Sequence, residues 1–137
     1  MKTIKPTRVL LVDDNQDFLK AAKRFLRAVP GLELVGEAIS GEQAVELSAA
    51  LRPDLVLMDF AMPGMNGLAA TLRIKQQPNA PKVIIVTLHT HAALRALADK
   101  AGADGFLQKE DLVLELPRLL ASLFPAAMGC FDDRGTA

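Results

Sequence analysis

The chain is poor in the features that mark several common protein classes. It holds a single cysteine, Cys130, so no internal disulfide can form and a reducing compartment fits. Tryptophan and tyrosine are both absent, which removes the usual fluorescent reporters. Neither sign of charge is in excess, with 16 Lys plus Arg against 16 Asp plus Glu. A protein that lives on nucleic-acid phosphates needs a basic stripe, so this balance argues against one. The start, "MKTIKPTRVLLVDD", has a short apolar run broken by two aspartates, too short for a signal sequence or a membrane span. No His/Cys cluster suggests zinc. There is no internal repeat and no low-complexity linker. A soluble, cytoplasmic protein is expected.

What is present is half apolar residues in a chain of 137, enough for one domain with a real core. Five short apolar runs stand out: "RVLLVD" (8–13), "LELVGEA" (32–38), "DLVLMD" (54–59), "KVIIVT" (82–87) and "GFLQK" (105–109). The first, third and fourth are nearly continuous hydrophobe, as in strands buried on both faces of a parallel sheet.

Segments of helical period lie between them. Phe18, Ala21, Ala22, Phe25, Leu26 and Val29 share one face of a first helix, which Pro30-Gly31 ends. "SGEQAVELSAALR" gives a second, with Ser40 as N-cap and Ala44, Leu47, Ser48 and Leu51 facing inward. "NGLAATLRIKQQ" gives a third, capped by Asn66 and stopping before Pro78. "HAALRALADKAG" gives a fourth, with Leu94, Leu97, Ala98 and Ala101 on one face and Gly102 as its stop. In "EDLVLELPRLLASLF" the proline sets the expectation. Pro117 belongs in the first turn of the last helix, with 110–115 as a separate turn, because a helix interior tolerates proline poorly. Residues 1–124 then form the domain, and 125–137 a loose tail.

The pattern is (βα)5, which implies an α/β fold with right-handed crossovers and a doubly wound parallel sheet. The strand order 2-1-3-4-5 is carried over from folds of this class. Ligands there bind beyond the carboxyl ends of the strands, where strands 1 and 3 part.

At those ends stand Asp13-Asp14, Asp59, Thr87 and Lys109. Two carboxylates about 4 Å apart repel by roughly 4 kcal/mol at an effective dielectric near 20. Capping a helix accounts for one of the pair, Asp14 or its neighbour Asn15, but not for both. Three converging carboxylates call for a hard divalent cation such as Mg2+, which takes one or two carboxylates and leaves room for phosphate oxygens. Lys109 adds a second positive charge and Thr87 a hydroxyl. A carboxylate beside a metal, a lysine and a hydroxyl is a phosphoryl-acceptor arrangement. Taken singly, Asp59 could be a loop-start aspartate, Lys109 a solvated lysine and Thr87 an ordinary strand residue. Their joint placement outweighs those readings.

Together "VLLVDDN", "DLVLMDFAMPGMNG", "KVIIVT" and "GADGFLQK" resemble the receiver domain of two-component response regulators, over residues 6 to 124. The wording is most like receivers that regulate transcription through an attached helix-turn-helix. The resemblance implies that Asp59 accepts a phosphoryl group from a histidine kinase or phosphotransfer protein. It implies that Asp13, Asp14, Asp59 and the backbone carbonyl of Ala61 hold Mg2+, and that Lys109 binds a phosphoryl oxygen. Thr87 and Phe106 would be the switch pair that reshapes the surface of helix four, strand five and helix five for a downstream effector or attached output domain. It also implies a phosphorylation-dependent homodimer through that surface. The chain would catalyse its own phosphorylation and dephosphorylation and would not be an enzyme in the usual sense.

Some positions depart from the family pattern. Glu110 follows Lys109 where proline is common, so a trans link is expected. Ala61 and His89 stand two residues after Asp59 and Thr87, at positions that in the family flank the path of the hydrolytic water, and His89 is expected to tune the phosphorylated lifetime. His91 reads as a surface or cap residue. After Phe124 only thirteen residues remain, too few for a DNA-binding domain, so this chain is expected not to bind DNA or membrane itself. An aspartate-nucleophile phosphatase would place a second acid at Ala61. A flavodoxin-like cofactor binder would need Ser, Thr and Gly where "DDNQD" stands. The remaining alternative is a docking-only receiver that takes no phosphate.

Overall fold

Strand parity sorts the apolar residues into two layers. In the computed structural model, which describes residues 5–88 and 92–125, alternate residues of each strand part company: Val9, Leu11, Leu57 and Ile84 enter one core layer, and Leu10, Val56, Met58 and Ile85 enter the other. Successive side chains of a strand point to opposite faces, so continuous hydrophobe requires cover on both.

The elements are β1 (Thr7–Val12), α1 (Gln16–Ala28), β2 (Leu32–Ala38), α2 (Gly41–Leu51), β3 (Leu55–Asp59), α3 (Gly67–Lys75), β4 (Lys82–Thr87), α4 (Ala92–Ala101), β5 (Gly105–Gln108), a 3-10 turn (Lys109–Asp111) and α5 (Leu112–Leu123). The sheet is parallel throughout and runs β2-β1-β3-β4-β5. α1 and α5 cover the first layer with Leu19, Ala22 and Leu26 and with Leu112, Leu116 and Leu120. α2, α3 and α4 cover the second with Ala44, Ala70, Ile74, Leu94 and Ala98. The doubly wound fold read from the sequence is therefore the observed one. β2 is an edge strand, only partly buried along most of its length.

The caps follow the side-chain chemistry. Asn15, Ser40 and Asn66 accept from the N–H three residues on, at 2.9, 3.1 and 2.9 Å. Gly102 ends α4 with φ +96°, a left-handed conformation that glycine adopts freely.

The last helix differs from the expectation. α5 begins at Leu112, so Pro117 lies inside it and only Lys109–Asp111 form a separate turn. The ring removes the N–H that would bond the Val113 carbonyl, but Val113 is 60% exposed and Pro117 also faces solvent. Interior proline costs about 3 kcal/mol. Burying each of Leu112, Leu116 and Leu120 contributes about 2 kcal/mol, so the stripe outweighs the break. Leu97 and Ala21, expected to face inward, are exposed instead. The Lys109–Glu110 link is trans. His89, His91, Cys130 and the tail from residue 126 lie outside the described residues. Among the described residues no helix is long and apolar enough to cross a membrane.

Candidate functional site

Register fixes which strand ends meet. Val12 pairs with Met58, Asp59 with Val86 and Thr87 with Gln108, so Asp13, Asp59, Thr87 and Lys109 fall on adjoining steps at the carboxyl edge. Asp13, Asp59 and Lys109 continue the parity of Leu11, Leu57 and Leu107, on the α1/α5 side. Thr87 continues that of Ile85, on the α4 side.

Asp13 is 0% exposed and Asp59 4% exposed, whereas Asp14 is open to solvent. One oxygen from each of the three lies within 4.8 Å of the other two. Lys109 Nζ stands 2.7 Å from Asp13 Oδ2 and 3.4 Å from Asp59 Oδ1. Asp13 Oδ1 accepts from the Asn15 N–H at 2.8 Å. Asp13 Oδ2 is buried with no aligned hydrogen bond, so its contact with Lys109 is one of charge rather than of directed bonding.

Burial pushes the Asp59 carboxyl up to about 6, and the Asp13 charge adds to the rise, while Lys109 pulls against it. That balance describes a site short of positive charge. Three hard oxygen donors, one of them an under-bonded buried oxygen, suit a divalent cation of the Mg2+ class.

The loop after Asp59 is tied close. Phe60 N–H donates to the Val86 carbonyl at 3.1 Å, and Gly67 N–H to the Phe60 carbonyl at 2.8 Å. A Cβ on Gly67 would fall 2.2 Å from the Asp59 carbonyl oxygen, so the start of α3 can sit against the acid only because residue 67 has no side chain.

A cleft of about 350 Å3 opens over the group, lined among others by Asp14, Asp59, Ala61, Thr87 and Lys109. The structure thus brings together every strand-end residue singled out from the sequence. Phe106 is not among the residues lining that cleft. It is 8% exposed and lines a hollow of about 220 Å3 together with Arg95 and Gln108. The guanidinium of Arg95 covers its ring. Sequence reading missed Phe18, whose ring lies under Lys109 Nζ. The available signal was its offset of three from the Asn15 cap, which places it in the first turn of α1, beside the acids.

Comparison with known proteins gives the family. A sequence model described as "Response regulator receiver domain" matches residues 9–120. The chain is 36% identical over 129 residues to the nitrate/nitrite response regulator protein NarL of Escherichia coli K12, covering 94% of this chain and 58% of that protein. It is 40% identical over 116 residues to the response regulator UvrY of Escherichia coli O6:H1, covering 85% and 53%. Its structure is similar, at a TM-score of 0.78 and 32% identity, to a LuxR-family two-component response regulator from Aurantimonas sp. SI85-9A1, covering 86% of this chain and 87% of that one. The chain spans about half the length of the curated relatives it matches.

Proposed function

Because the chain belongs to the response regulator receiver family, we propose that Asp59 accepts a phosphoryl group from the phosphohistidine of a histidine kinase or phosphotransfer protein. The observation that carries the reading is a buried carboxylate at a strand end, 3.4 Å from a lysine and grouped with two further acids. An Asp59 oxygen forms the new O–P bond as the donor P–N bond breaks, and the electron pair leaves with the imidazole nitrogen, which takes up a proton. Lys109 neutralises charge on a transferring oxygen, and Thr87 donates its hydroxyl to another. Asp13, Asp14, Asp59 and the Ala61 carbonyl would hold Mg2+, which supplies positive charge to the phosphoryl oxygens when bound.

In this reading the phosphorylated state draws Thr87 and Phe106 toward a second arrangement and alters the α4–β5–α5 surface. An effector or attached output domain reads the change, in the cytoplasm, and a homodimer through the same face is one form of readout. The chain turns over no external substrate beyond its own phosphorylation and dephosphorylation. Residues 1–124 carry these functions. Ala61 and His89 tune the lifetime. If so, dephosphorylation of His89→Ala differs from wild type across about pH 6–8, and equal rates would remove His89 from the account.

Intact mass after incubation with acetyl phosphate and Mg2+ tests the centre of the reading. Wild type should gain one phosphoryl group, and Asp59→Asn and an EDTA control none. No gain in a folded wild type, even with a purified histidine kinase, would assign the chain a docking role without phosphorylation.

A further inference from the structure

The Lys109 ammonium has a third neighbour besides the two carboxylates. Its Nζ lies 4.5 Å from the centroid of the Phe18 ring. We propose that Phe18 is a positioning residue for Lys109, holding the ammonium over the acid cluster through the face of its ring. The inference rests on the phospho-acceptor reading of Asp59.

The geometry is that of a cation on an aromatic face, within the reach of about 6 Å at which the ring quadrupole attracts it. Phe18 is fixed from two directions. Its N–H donates to the Asn15 side chain at 2.9 Å, which sets the first turn of α1. Its ring packs against the core layer under α1 and α5. The ring is therefore a seat that the lysine meets, rather than a side chain that follows it. The Lys109 side chain is 11% exposed at this seat.

The need for the ring comes from competition. A divalent cation held by Asp13 and Asp59 would take up the same negative charge that draws Lys109 to them. Both ion pairs would then weaken just when the lysine is required. The Phe18 ring carries no net charge and binds no hard cation of that kind in water, so its attraction for the ammonium persists. A leucine would pack the lysine stem equally well but offers no negative face to its charge.

The experiment uses the full chain with lysine labelled at 13Cε. Wild type, Phe18→Leu, Phe18→Tyr and Phe18→Met are compared, with Lys109→Arg to assign the signal and Asp59→Asn as the acceptor control. Protons over a ring face shift upfield, so the Lys109 ε-protons should be upfield in wild type and Phe18→Tyr, in the presence and absence of Mg2+. They should move to the ordinary position in Phe18→Leu and Phe18→Met. Phosphorylation by acetyl phosphate with saturating Mg2+, followed by intact mass, should be roughly three- to tenfold slower in Phe18→Leu and Phe18→Met and restored in Phe18→Tyr. Phe18→Met keeps the test open where Phe18→Leu does not fold. Wild-type rates in the Leu and Met variants, or a Lys109 signal indifferent to the ring, overturn the inference and leave the acceptor reading standing. Absence of phosphorylation in wild type overturns the acceptor reading and this inference with it.

Discussion

Arg95 of α4 lies over the ring of Phe106 of β5, its guanidinium carbon 4.9 Å from the centroid. The aromatic proposed as a switch is thus lidded by a charged side chain from the neighbouring helix. Arg95→Ala removes the lid. Exposed cation–π contacts contribute about 0.5–1 kcal/mol, so the melting temperature should fall by only a few degrees. The larger effect should be on ring motion. In protein labelled with fluorophenylalanine, the 19F resonance of Phe106 should shift and change width in Arg95→Ala. A Phe106 signal identical to that of wild type would refute the lid.

Asp59 gives a pH dependence of defined sign. Its folded carboxyl holds a proton up to about pH 6, against 3.8 for the ordinary group. The folded state therefore binds the proton more tightly than the unfolded one. The resulting stability is complete below about pH 4 and is lost as pH rises through about 6. At neutral pH the ionised acid weighs against the fold by up to about 3 kcal/mol. Asp59→Asn should melt higher than wild type at about pH 7, and the difference should close below about pH 4. Added Mg2+ should narrow the gap at neutral pH by stabilising wild type. Melts followed by circular dichroism across this range decide it, and a gap that widens on acidification contradicts the assignment.

Gly67 is the point where a single methyl group meets the site. Gly67→Ala places that group 2.2 Å from the Asp59 carbonyl oxygen. Backbone must move, at a cost of about 1–3 kcal/mol. Urea titration should show this loss. Phosphorylation of the folded variant should also slow, because α3 and the end of β3 separate. Full stability in Gly67→Ala would show that the two elements lie further apart than described.

Pro117 makes the opposite prediction. Pro117→Ala restores an N–H to the Val113 carbonyl inside α5. Alanine is favoured over proline by about 3 kcal/mol in a helix interior, partly offset by about 1 kcal/mol from a freer unfolded chain. A net gain of about 2 kcal/mol is expected, and a lower urea midpoint than wild type would count against an unbroken α5.

The sheet was legible in the sequence because doubly buried strands leave uninterrupted apolar runs. The ends of those runs pointed to Asp13, Asp59, Thr87 and Lys109, and the register brings these residues to one edge of the sheet. What depends on contact across the fold was not legible. Pro117 was placed by its local preference, and the stripe Leu112–Leu116–Leu120 that overrides it acts only through contact with the sheet. Phe18 was read as a core residue, and periodicity along α1 reports that a residue faces inward without reporting what it faces. Its contact with Lys109 joins residues 91 positions apart in the chain and follows from the order in which the strands are laid down.

The alternation along the strands also partitions the labour of the molecule. Asp13, Asp59, Lys109 and Phe18 belong to the side shared by α1 and α5, and Phe106, Leu94 and Ala98 to the side roofed in part by α4. Of the strand-end group Asp13, Asp59, Thr87 and Lys109, Thr87 is the one on the α4 side, beside Leu94 in the cleft over Asp59. The outer face of α4, with Arg95 and the exposed Leu97, therefore borders the acid cluster through a single hydroxyl. News of the acid crosses from one face of the five strands to the other at that one threshold.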